Sequence, residues 1–244
     1  MSNFPAPSPT YIGPANRHGA ANNDPINHIT IHCTVSACCK GARSIANYFK
    51  TTSNAASAHY VVDATEAIQS LYDSYVAYHA PPNQHSLGIE MCCSLSGQGK
   101  GHWARSDHKK MLDRTALLTA QLCLAYDVPP VKLSAADLRA GKKGICGHVD
   151  VSDAFHQTTH WDPGPYFPWA DFMGLVRKHY DALKAPAKPA RPIKPAAPKP
   201  VRRPNAEAIA AAAALGVKGN PTDPAARAVF QKIRDLIKPY DTRK

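Results

Sequence analysis

Apolar residues in this chain recur with two periods, and the switches between them mark out the elements. Across residues 26–34, Ile29 and Ile31 fall on one face and His28, Thr30 and His32 on the other, which predicts a central strand ending at His32. Residues 38–50 change to helical spacing, with Ala42, Ile45, Ala46 and Phe49 on one stripe. After a polar loop at 51–56, alternation returns at 57–63 and 67–71, two strands joined by the hairpin-like connection Ala64-Thr65-Glu66. Residues 75–80 lead into a loop at Pro81 and Pro82. The apolar run 86–93 is interrupted by one acidic residue, Glu90, as in a buried strand carrying a functional group.

Residues 109–126 carry a long helical stripe of Leu112, Ala116, Leu117, Ala120 and Leu124, which should pack on the sheet, with Asp107 or Asp113 helping to start it. Residues 134–140 read as a short helix capped by Ser134, with Asp137 at the capping-box position. Ile145 leads through Gly147 into His148, and 169–183 form the last helix. Strands of two kinds alternating with helices predict an α/β domain, a central mixed β-sheet flanked by helices, over residues 26–183.

The flanks lack this patterning. Residues 1–25 are rich in Pro, Asn, Ser and Gly and read as an extended surface arm. Residues 184–204 repeat Pro, Ala and Lys, the composition of a semi-rigid polyproline linker. Residues 205–244 hold two short helix-forming stretches, read as a small basic module for targeting, near the lower size limit for an independent core.

Charge sharpens this division. Of the formal net charge of +11, residues 1–180 contribute 15 Lys/Arg against 13 Asp/Glu, whereas 181–244 contribute 14 against 5. All twelve histidines lie in the first part, so imidazole chemistry and excess positive charge occupy different segments. No nucleic-acid recognition motif accompanies the basic tail, and no apolar run reaches the roughly 20 residues that span a bilayer. The first nine residues lack the basic and apolar regions of a secretory signal. Seven cysteines, with two adjacent pairs and no zinc-ribbon spacing, read as reduced, mostly buried thiols.

His148, His160 and Asp162 fall within fifteen residues, followed by the turn-forming Pro163-Gly164-Pro165. Such a cluster looks like part of a metal site. Catalytic zinc takes three protein ligands and keeps one open position; His32, at a strand end where α/β sheets place ligands, is the candidate from elsewhere in the chain. His59, His79, His85 and His156 are candidates to line a groove, with a surface role favoured for each; Trp161 and Trp169 are assigned packing roles, and Trp103, in a polar loop, is the better candidate for glycan contact.

In order, His32 closing a strand, Gly88-Ile89-Glu90 in another, Gly147-His148-Val149-Asp150, and His160-Trp161-Asp162-Pro163-Gly164-Pro165 resemble the zinc-dependent N-acetylmuramoyl-L-alanine amidases over residues 24–180. These are the type 2 amidases, related to peptidoglycan recognition proteins. The resemblance implies a Zn2+ cofactor held by His32, His148 and Asp162, with Glu90 matching the carboxylate that activates water in one branch. Another branch carries Tyr where Ala58 stands. His160 occupies a position where Lys often stabilises the oxyanion, and Asp150 is a candidate acceptor for a ligating imidazole. Cys146 reads as a small buried residue.

The implied activity is cleavage of the amide between N-acetylmuramic acid and L-alanine in bacterial peptidoglycan. A bacteriophage endolysin fits best, held in the host cytoplasm until a separate protein permeabilises the membrane, and acting as a monomer without nucleic acid or membrane insertion. A cytoplasmic muropeptide-recycling amidase is the nearer alternative, and a non-catalytic peptidoglycan-binding module the alternative of a different class.

Overall fold

Three parallel strands whose hydrophobic faces point the same way form the heart of the sheet. β3 (His28–Cys33) lies between β7 (Ser86–Met91) and β8 (Gly144–Gly147). The computed structural model describes residues 8–21, 24–34, 39–94, 99 and 101–185. The sheet extends through β4 (Tyr60–Val62), β5 (Ala67–Gln69) and β1 (Thr10–Tyr11) in the order β1-β5-β4-β7-β3-β8. Only the β4–β5 hairpin is antiparallel within it, so the sheet is mixed, as the pattern predicted.

On one face Ile29, Ile31, Leu87, Ile89 and Met91 pack against α2 (Ser106–Ala125) and α5 (Trp169–Lys184), through Met111, Leu122, Phe172 and Val176. Full burial of such side chains stabilises by roughly 1.5–3 kcal/mol each. A one-residue slip would turn them to the opposite face, so this burial locks the register of β3 and β7. On the other face α1 (Ala42–Thr51) covers Val61 and Ile68 with Ala42, Ala46 and Phe49. A third cluster joins Cys146 to α3 (Ala135–Arg139) and α4 (His148–Phe155) through Leu138 and Val151.

The structure departs from the sequence reading at several places. The N-terminal arm is partly built into the fold: β1 pairs with β5, and β2 (His18–Ala21) pairs with β6 (Tyr75–Ala77) in a separate two-stranded sheet. Short polar strands of this kind carry too little alternation to show in the pattern. Helix α1 starts later than predicted because Gly41, at φ 98°, is in the left-handed region, where the helix cannot propagate. Helix α4 was not predicted; it follows β8 without a loop, and the β-branched Val149 and Val151 mask its periodicity. The short helix with the Ser134 and Asp137 capping box is present as predicted. Apart from Lys184 and Ala185, the predicted linker and all of the 205–244 module lie outside the described residues.

Candidate metal centre

Parallel pairing brings the chemistry to one end of the sheet. His32 on β3 pairs with Glu90 on β7, which sets the two residues side by side. Across the other edge of β3, Ile31 pairs with Gly147, so His148 emerges next to His32 at the first position of α4. Asp150 accepts the Gly147 N–H at 2.7 Å and thereby caps α4, fixing the turn from which His148 projects. Its carboxylate is also bound by Lys132 Nζ at 2.6 Å, and Lys132 lies 4.5 Å from the Trp169 ring centroid. Asp150 therefore supports the backbone beneath His148, and is not the imidazole acceptor that the sequence suggested.

Asp162 arrives from the loop after α4. Its backbone carbonyl accepts from Val149 N–H at 3.0 Å, and its Oδ2 accepts from Cys33 N–H at 3.3 Å. This docking requires Gly147: a Cβ there would sit 2.8 Å from Pro163 Cδ. His32 Nδ1 lies 3.1 Å from Asp162 Oδ2, and His148 Nδ1 lies 3.2 Å from Oδ1. His32, His148 and Asp162 are all buried, and each offers a ligand atom within 4.8 Å of the others.

Burial pushes the His32 imidazole below its ordinary value, against the pull of Asp162, so it stays neutral and able to ligate. Burial alone would raise the Asp162 carboxyl, but the facing His148 and His32 rings outweigh it and hold the group well below the usual carboxylate range. Two imidazoles and one carboxylate facing one another form a donor set suited to zinc. Two buried atoms, His148 Nε2 and Glu90 Oε2, have no partner among the described residues. An unsatisfied buried polar atom costs roughly 1–3 kcal/mol, so the fold tolerates at this site what a bound ion, water and substrate can satisfy. The residues fit the group that the resemblance implies.

Glu90 is pushed up to about 8, first by burial and then by the Asp162 charge. A carboxyl held near neutrality accepts and returns a proton at working pH. His160 stacks on His148 with centroids 4.6 Å apart and rings 3° from parallel, and its own ring is largely exposed. Its Nδ1 is 3.9 Å from Asp162 Oδ1, on the solvent side of the proposed ligands. All five sequence-predicted site residues thus line one cleft of about 770 Å³, together with Arg17 and His79.

His79 is a residue the sequence reading misplaced. It is buried, its Nδ1 lies 3.0 Å from His32 Nε2, and its Nε2 lies 2.9 Å from Ser86 Oγ, which donates to Asn83 O at 2.8 Å. One set of protons satisfies the whole chain: His32 Nε2–H donates to His79 Nδ1, and His79 Nε2–H to Ser86. That arrangement leaves the lone pair of His32 on Nδ1, facing Asp162. Gly88 makes room for the His79 ring, since a Cβ there would lie 2.7 Å from it. His59 is also buried, not at the surface, accepting Gly88 N–H at Nδ1 and facing Tyr75 O through Nε2. Of the aromatic assignments, Trp169 packs on Phe167 and Phe172 as expected, but the other two reverse. Trp103 is buried against Phe167, whereas Trp161, next to His160, is half exposed.

The sequence profile of the N-acetylmuramoyl-L-alanine amidase family matches residues 22–165. A Bacillus licheniformis protein named "Probable N-acetylmuramoyl-L-alanine amidase" is 32% identical over 154 residues, covering 56% of this chain and 36% of its own. The N-acetylmuramoyl-L-alanine amidase CwlA of a Bacillus species is 32% identical over 108 residues, covering 42% of this chain and 39% of its own. The chain thus spans well under half the length of these relatives. Among solved structures, the Staphylococcus aureus hydrolase AmiA superposes with a TM-score of 0.57 at 17% identity, over 75% of this chain and 87% of AmiA. A mutant of PlyL superposes with a TM-score of 0.51 at 20% identity, over 70% of this chain and 98% of PlyL. At these identities the superpositions speak to the fold, and they agree on a mixed sheet flanked by helices. With the profile spanning the strands and loops that carry His32, Glu90, His148 and Asp162, the chain belongs to the N-acetylmuramoyl-L-alanine amidase family.

Proposed function

We propose that the cleft hydrolyses the amide between the lactyl group of N-acetylmuramic acid and L-alanine in bacterial peptidoglycan, with zinc held by His32, His148 and Asp162. The observation that carries the reading is the convergence of those three buried donors beside a carboxyl, Glu90, raised to about 8. Zinc, when bound, supplies a Lewis acid that acidifies water and polarises the scissile carbonyl. Glu90, paired in register with His32, takes the proton from the attacking water and returns it to the leaving nitrogen of L-alanine. His160, stacked on His148 and open to the cleft, donates a hydrogen bond to the developing oxyanion. Arg17 lines the same cleft and offers a guanidinium to stem-peptide carboxylates. His79 holds His32 in the tautomer that ligation requires.

The net charge of +9 on residues 181–244 supports concentration of the protein at a polyanionic wall, and with it a lytic role in releasing phage from a host cell. Among the described residues no helix is long and apolar enough to cross a membrane.

The test is release of free N-terminal L-alanine from purified walls, with and without chelator. Release by the zinc-loaded protein that stops with chelator and returns with zinc is expected. No release by metal-replete protein would leave a wall-binding module as the surviving reading.

A further inference from the structure

On the opposite side of β7 from the cleft, a second group of soft donors converges. Cys93, three residues beyond Glu90, is fully buried in the core that faces α2. Its Sγ lies 3.1 Å from His102 Nε2, and His102 Nε2 lies 3.1 Å from His108 Nε2. The ligand atoms of all three residues fall within 4.8 Å of one another. His108 is fully buried in the first turn of α2, and His102 is half-buried in the 3-10 turn His102–Ala104 just before it.

The proton on His108 is already assigned. Asp107 Oδ1 lies 3.1 Å from His108 Nδ1. Asp107 also accepts from the Arg105 guanidinium at 2.9 Å through Oδ2, an ion pair in which it is an acceptor. A proton on His108 Nδ1, facing Asp107, leaves the lone pair on Nε2 turned towards His102. A carboxylate on the far nitrogen of an imidazole is the arrangement that orients metal-ligating histidines. In the metal-free protein the Cys93 thiol also faces Ser94 O at 3.5 Å. A cation between the three residues would be bound by the Cys93 sulfur and both imidazole nitrogens at once. Tetrahedral zinc, with bonds of about 2.3 Å to sulfur and 2.0–2.1 Å to nitrogen, sets ligands roughly 3.3–3.6 Å apart. The observed 3.1 Å separations need only a few tenths of an ångström of adjustment.

We propose that Cys93, His102 and His108 form a second metal site, for zinc or a similarly thiophilic divalent cation, separate from the catalytic centre. A thiolate with two imidazoles selects such ions over magnesium or calcium. An overlapping set, Cys39, Asp107 and His108, is also within ligand span, but Asp107 sits on the Nδ1 side of His108, away from His102. The site ties the end of β7 to the start of α2, closing the ten-residue connection from Cys93 to His102. The strand it anchors is the one that carries Glu90, so the second metal is structural and steadies the catalytic carboxylate from behind.

Cobalt substitution separates the two centres, because only the second contains a thiolate ligand. The full chain is stripped of metal, reloaded with Co2+, and its near-ultraviolet thiolate-to-cobalt charge-transfer band recorded, with zinc content measured in parallel. Wild type should bind two zinc ions per chain and show the band. Asp162→Ala, which removes a ligand of the first centre, should keep the band and one zinc. Cys93→Ala and the half-buried His102→Ala should each lose the band and one zinc while keeping a wild-type far-ultraviolet circular dichroism spectrum. Absence of the band in wild type overturns the proposal, as does its persistence in both Cys93→Ala and His102→Ala, which would assign it to another cysteine. The amidase reading is tested independently, by alanine release.

Discussion

Glu90→Gln should make the metal-free protein more stable while removing its activity. At 1.36 kcal/mol per pH unit, raising the carboxyl from 4.5 to about 8 sets ionised Glu90 about 5 kcal/mol against the fold above pH 8. The sign follows from proton binding. The folded chain holds the Glu90 proton more tightly than the unfolded chain, so stability falls as pH rises from 4.5 through 8. About 3 kcal/mol of this is in force at pH 7, and both figures are upper bounds, because water entering beside a carboxylate relaxes them. A chain of this size shifts by roughly 2–4 °C per kcal/mol, so Glu90→Gln should melt up to roughly 6–12 °C above wild type at pH 7. The gap should widen towards pH 8 and close towards pH 5. Thermal melts of the metal-free proteins followed by circular dichroism read it directly. Zinc should narrow the gap by stabilising the Glu90 carboxylate. Turnover of Glu90→Gln should fall by about 10²–10⁴, the usual contribution of a general base. Equal melting temperatures at pH 8, or a difference that does not shrink towards pH 5, would refute the idea that burial raises this carboxyl.

His79→Ala should weaken zinc binding by roughly 10–100-fold, because His32 loses the partner that fixes its tautomer. Competition with a chromogenic chelator measures this, and an unchanged affinity would reduce His79 to a packing residue. Acid should also destabilise the metal-free chain. Burial lowers His28 to about 4, and it lowers His32, His59 and His79 as well. The unfolded chain therefore binds more protons below about 6.5, and stability is lost as pH falls from there towards 4. A melting temperature that stays flat across that window would contradict the burial of these imidazoles.

The amino-acid sequence determined the elements and most of the ligand set by local means. Alternation around Ile29 and Ile31 marks β3, the stripe from Leu112 to Leu124 marks α2, and Ser134 with Asp137 marks the start of α3, because burial of one face and capping act over a few residues. His32, Glu90, His148, His160 and Asp162 were legible through their motifs, each carried on a short segment with its own turn or strand signature. Tertiary structure decided what depends on pairing between distant segments. The register that sets His32 beside Glu90 comes from burial on the α2 face, and the approach of Asp162 comes from the absence of a Cβ at Gly147. The role of His79 arises from strand pairing, which brings it to His32 across 47 positions of sequence. Cys93, His102 and His108 stood unnoticed among thiols and loop histidines, because their spacing matches no familiar ligand motif. Only the packing of the α2 start against the end of β7 turns their donor atoms towards one another.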